Sequence, residues 1–276
     1  MILLHLAVTA LYALGAWVLW PRHAAPRSGP PAAPVPPHPG SAWLRFLLPV
    51  AFALHTWTVA QDIATPEGLD LSLGNALSVV AGLVALLAWV SGLIRTLPAI
   101  GTVVLPVAAV AVLLPVMMAS PHRFPYATGP WAAAHVAVAL LAYALFIVAA
   151  LQALVLMGLE KRLHRRLPDP EAAALPPLLT LERFLFRLVT TGFVLLTLTL
   201  ASGALFSEHI FGRPFTFSHK SVFSVLAWLT FGALLWGRWR YGWRGRVALR
   251  WILAGTALLF LAYLGSKFVL EVVLGR

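Results

Sequence analysis

Eight apolar runs follow one another along this chain, at about 2–20, 43–60, 73–94, 98–118, 131–159, 182–206, 219–237 and 248–270. A helix needs about 20 apolar residues to cross a bilayer core of about 30 Å, so eight such runs leave no room for a separate soluble catalytic domain. The composition agrees: of 276 residues, 61% are hydrophobic and 11% charged, with mean hydropathy +0.88. A soluble domain is about 45–50% apolar and about 25% charged. The expected fold is an all-α polytopic membrane bundle of about eight transmembrane helices. A soluble enzyme, a disordered chain and a nucleic-acid reader are excluded.

Cysteine is absent, which excludes disulfides, thiol catalysis, iron–sulfur ligation and zinc–thiolate sites. No P-loop, GxSxG, HExxH or intramembrane carboxylate pair is present. The chain is therefore not expected to be an enzyme.

Assigning basic residues to alternate sides puts fifteen on one side and five (Arg123, Arg213, Lys220, Lys267 and Arg276) on the other. Excess Lys and Arg marks the cytoplasmic side. Both termini are then expected on the non-cytoplasmic side, and the net charge of +11 reports topology before any polyanionic partner. The chain divides into a first helix (1–20), a Pro-rich cytoplasmic linker (21–42) and a seven-helix membrane domain (43–276). Eight prolines between Pro21 and Gly40 predict an extended, non-helical linker. LPPLLTLERFLFR, residues 175–187, is expected to lie partly along the inner interface before the sixth span.

Once sides are assigned, His23, His38 and His164 fall in cytoplasmic linkers, whereas His5, His55, His122, His135, His209 and His219 fall toward the outer face. An ionisable side chain inside a span is a functional hypothesis by default. His55, in AFALHTWTV, and His135, in WAAAHVAVALLAY, sit at similar depth in otherwise apolar helices. Two imidazoles at one depth are what a bis-histidine haem b pocket between helices needs, each giving iron an Nε2 lone pair. Arg123, Arg213 and Lys220 stand on the side where propionates need cations. The bland reading is that each histidine hydrogen-bonds a neighbouring Ser, Thr or Tyr across helices. Most tryptophans fall near span ends, as an aromatic belt does.

The C-terminal half resembles the cytochrome c assembly family of haem-handling membrane proteins (the CcsA/HemX-like group), and within it the short inner-membrane branch of YpjD type. The resemblance rests on Lys220, Trp228, Arg238, the turn Gly242-Trp243-Arg244-Gly245, and Tyr263 with Gly265. It rests also on PWAAAHVAVALLAY, which sets His135 in the place of a family haem-ligand histidine, and on LLTLTLASGALF. It implies an inner-membrane protein that binds haem near the outer face and takes part in cytochrome c assembly, with the bilayer, haem and other assembly or membrane proteins as partners. PFTFSHKS, residues 214–221, lacks the tryptophans and Asp of the family's outer-face segment and has His219 where that segment has Pro. Trp236 replaces a second intramembrane histidine. The implied role is therefore haem binding or haem-linked assembly rather than haem ligation to a substrate. The alternative is a non-haem structural or regulatory partner, for example of an ion exporter or a haem-synthesis enzyme, that kept the fold.

Overall fold

The computed structural model describes residues 2–19, 39–65, 68–94, 98–118, 123–124, 130–164, 178–205 and 219–265. Within the described residues all eight apolar runs form helices: α1 (Ile2–Leu19), α2 (Pro39–Ile63), α3 (Leu73–Ile94), α4 (Pro98–Ala111), then after a short α5 (Leu114–Met117), α6 (Pro130–His164), α7 (Leu178–Leu205), α8 (His219–Tyr241) and α9 (Gly245–Phe260). A π-helical turn, Leu261–Gly265, ends the described chain. Six helices, α1, α3, α6, α7, α8 and α9, are long and apolar enough to cross a membrane. The other two depart from the simple pattern for visible reasons. The α2 helix carries His55, Thr56, Thr58, Gln61 and Asp62 in its second half. The fourth run is split: α4 ends at Ala111, a turn follows at Val112 and Leu113, and α5 restarts with Pro115 in its first turn, where its missing N–H costs nothing.

Two sequence expectations need correction. Pro39, Gly40, Ser41 and Ala42 open α2 rather than belonging to the linker; a proline at the first helical position is pre-organised for it. Residues 20–38, the rest of the linker, lie outside the described residues. From Leu178 on, the LPPLLTLERFLFR stretch is the first part of α7, continuous with the span. Its Leu181, Leu185 and Phe186 are buried in the bundle, so helical periodicity, not interfacial amphipathicity, places them.

Helices α1 to α4 pack as one group, with α1 on α2 and α4 and α3 on α2 and α4. Helices α6 to α9 form a second, and α3 packs against α6 to join them. A three-stranded antiparallel sheet ties the groups together at one end: β1 (Ala64–Thr65), β2 (Gly68–Asp70) and β3 (Arg123–Phe124), in that order. Leu69 pairs with Phe124 and Asp70 with Arg123.

In a membrane, small residues let helices approach and shape complementarity replaces the hydrophobic drive. The second group follows this rule. Phe146 of α6 and Phe231 of α8 stack with centroids 3.9 Å apart. A Cβ at Gly192 of α7 would lie 3.0 Å from Phe146 Cζ, and one at Gly255 of α9 only 2.7 Å from Phe231 Cζ. All four helices thus meet at one aromatic pair.

The GWRG turn has a similar logic. Gly242 takes φ +68° and Gly245 φ +55°, the left-handed region that side chains avoid. The Gly242 N–H donates to the Arg238 carbonyl at 3.1 Å, which caps α8. The Trp243 ring then folds back over Gly237, where a Cβ would clash with it.

Candidate functional site

Two polar centres lie at the same end of the bundle, the end that carries the sheet. The first is built by α1, α2 and α3. The α1 face bearing His5, Val8, Tyr12, Gly15 and Ala16 is buried, and seven residues, about two turns, separate its two polar members. His5 Nε2 lies 2.9 Å from Asp62 Oδ2. Tyr12 Oη lies 3.0 Å from His55 Nδ1, and His55 Nε2 lies 3.0 Å from Ser78 Oγ. A neutral imidazole has one donor and one acceptor. Tyr12 at Nδ1 and Ser78 at Nε2 are both hydroxyls, so one can donate and the other accept whichever tautomer the ring takes. The His55 ring is only 3% exposed, and a Cβ at Gly82 would sit 2.7 Å from its Cε1. Asn75 closes the centre by donating to the Asp70 carbonyl at 3.0 Å.

The second centre is built by α6 to α9. His135, half-buried, places Nδ1 2.7 Å from Ser202 Oγ on α7. That hydroxyl in turn donates to the Thr199 carbonyl at 3.1 Å. The Nδ1–Ser202 hydrogen bond thus holds the His135 ring against α7. Histidine ligands to metals are held in this way, the far nitrogen hydrogen-bonded to an oxygen that fixes the ring. A Cβ at the neighbouring Gly203 would meet His135 Cε1 at an ordinary 3.5 Å. Trp131, Ala133 and Ala134 beside it are exposed. Lys220, at the start of α8, acts electrostatically on His135 and places Nζ 5.0 Å from the Tyr263 ring centroid. Tyr263 meets Tyr143 edge-on at 5.8 Å.

His55 and His135 take their hydrogen-bond partners in different helix groups. His55 is enclosed by α1 and α3, His135 is turned to α7, and α3 packs on both α2 and α6. Of the candidate propionate cations, Lys220 shares the His135 end of its group. Arg123 lies on β3, paired in register with Asp70. Arg213, His122 and His209 are outside the described residues. His219 is exposed at the first position of α8. As a test of fit to haem, His55 offers no ring nitrogen without breaking a buried hydrogen bond, and its ring is wedged against Gly82. His135 offers a ring oriented by Ser202, half-buried beside exposed positions of α6, with Lys220 at the same end of the group. At the opposite end, a cavity of ≈ 30 Å³ lined by Glu160, Glu182, Phe186 and Gly245 among others has room for water but not for a macrocycle.

Sequence reasoning missed the partners, not the histidines. Tyr12 shares a helix face with His5, and Ser78 and Gly82 are spaced i, i+4 on α3. The adjacent small residues Ser202-Gly203 in LASGAL were the available sign of close approach to α7.

The profile of the cytochrome c assembly protein family matches residues 43–274. The chain belongs to that family. It is similar to the inner membrane protein YpjD of Escherichia coli K12, at 37% identity over 140 residues, 50% of this chain and 52% of that one. A 28.8 kDa protein from the nifR3-like 5′ region of Azospirillum brasilense is 36% identical over 149 residues, 54% of this chain and 55% of that one. The cytochrome c biogenesis protein CcsA of Thermosynechococcus vestitus is 28% identical over 213 residues, 62% of this chain and 67% of that one. The chain spans about half the length of the YpjD and Azospirillum relatives it matches. No solved structure matches. With six span-length apolar helices and relatives of these names, it is a multi-pass inner-membrane protein.

Proposed function

We propose that this protein is a non-enzymatic, haem-binding member of a cytochrome c or haem-protein assembly system. Haem b would be held in the α6–α9 group near the outer face, by His135 at its iron and by Lys220 as the cation for a propionate. The observation that carries the reading is the His135–Ser202–Thr199 chain. Bound haem would supply a redox-active iron. This chain's own residues supply the rest: Ser202 fixes the ring, and Lys220 contributes positive charge at the same end of the group. In this reading the histidine end faces outward, because the arginine-rich end faces the cytoplasm. A cytoplasm-only reporter fused after Arg246 should be active and one fused after Gly212 inactive.

A second reading is a non-haem structural or regulatory partner that kept the fold, such as a modulator of an ion exporter or of a haem-synthesis enzyme. The enclosure of His55, with both ring nitrogens already hydrogen-bonded to Tyr12 and Ser78, favours it. The visible spectrum of the full chain, purified after growth with haem precursor, separates the two. A Soret band and a b-type pyridine haemochrome support haem binding; their absence supports the partner reading.

A further inference from the structure

The bundle end opposite the histidines is collared by cations. Lys161 on α6, Arg183 and Arg187 on α7, Arg240 on α8, Arg244 in the turn, and Arg246 and Arg250 on α9 are all exposed. The carboxylates described within this collar are Glu160 and Glu182, both half-buried. They are already engaged: Glu182 Oε1 accepts from Arg238 at 3.0 Å, and Glu160 Oε2 lies 3.7 Å from Arg246. Among the described residues the collar's other cations meet no carboxylate.

Aromatic rings stand among these charges. Trp236, Trp239 and Tyr241 are exposed, the two indoles are 5.2 Å apart, and the Arg240 guanidinium lies 5.6 Å from the Tyr241 ring centroid. Exposed Trp and Tyr settle at the headgroup level of a bilayer, so the guanidinium groups beside them are level with the lipid phosphates. Arginine's planar fork matches a phosphate bidentately.

We propose that this collar is a docking surface for anionic phospholipid, which this protein retains as a bound annulus. An acidic soluble protein is the less fitting occupant, because the exposed indoles interleaved with the arginines suit the glycerol and acyl boundary of a lipid. The proposal is independent of haem.

The test uses the full chain in detergent, with cardiolipin or phosphatidylcholine as the added probe. The readouts are lipid retained in native mass spectrometry and the thermal midpoint. Cardiolipin should be retained and should raise the midpoint of the wild-type protein more than phosphatidylcholine does. The triple variant R240Q/R244Q/R250Q should lose the preference, by roughly fivefold in affinity for each arginine removed, while remaining monodisperse. Equal response of the wild-type protein to the two lipids overturns the proposal, and so does a monodisperse triple variant that keeps the preference. Salt-sensitive co-purification of an acidic polypeptide without any lipid preference also overturns it. The wild-type titration decides the matter even if the triple variant fails to fold.

Discussion

His55 and His135 lie in stretches of sequence that look alike, each a single imidazole among Ala, Val and Leu near one end of a span, yet they end up in different physical situations. Around His55, Tyr12 and Ser78 take both ring nitrogens and Gly82 leaves no slack. Around His135, one nitrogen is tied to Ser202, the facing glycine is at ordinary contact distance, and neighbouring positions on α6 are exposed. The first centre serves to lock α1, α2 and α3 together. The second orients an imidazole beside exposed positions of its own helix. A histidine in a membrane helix is thus assigned by what its two nitrogens touch, and not by its depth.

The largest expected effect is on the open side. His135→Ala should remove most of the bound haem while leaving the fold intact, read as the Soret-to-protein absorbance ratio of a monodisperse sample. Next comes the packing of the closed side. Gly82→Val drives a side chain into the His55 ring and should destabilise the chain by ~1–3 kcal/mol, the usual cost of overpacking, read as a lower thermal midpoint. If Gly82→Val is harmless, the first centre is looser than its geometry.

His55→Ala strands the Tyr12 and Ser78 hydroxyls in an apolar interior. It should cost about 1–3 kcal/mol of stability and leave haem content unchanged. A loss of haem without a loss of stability would move His55 from lock to ligand. The smallest effects are expected from the hydroxyls. Tyr12→Phe should cost about 1 kcal/mol of stability. Ser202→Ala should keep the haem but loosen its ligand, read as a shift in the Soret maximum or a broader spin-state mixture.

Most of the architecture was legible in the sequence because hydrophobic run length is a local property. Within the described residues all eight runs became helices, and the α3 start at Leu73 and the α4 start at Pro98 were placed to the residue. What was not legible depends on contacts between distant segments. The sheet joins residues 64–70 to 123–124, so no single window of sequence contains it. The split at Val112–Leu113 sits inside an unbroken apolar run. The matched depth of His55 and His135 was read from span positions, but facing is a rotational property, set by which helix each one packs on. Ser202 and Tyr12 acquire meaning only once α7 is laid on α6 and α1 on α2. The GWRG turn went the other way: its two glycines, quoted for resemblance alone, are explained by their positive φ and by Trp243 closing over Gly237.

The central claim is that the two histidines have divided roles, and haem stoichiometry in three proteins tests it directly. Wild type, His55→Ala and His135→Ala should be purified identically from cells supplied with haem precursor and assayed by pyridine haemochrome per mole of chain. The account predicts equal haem in wild type and His55→Ala, and little in His135→Ala. Haem retained by His135→Ala and lost from His55→Ala, or no haem in the wild-type chain, would contradict it.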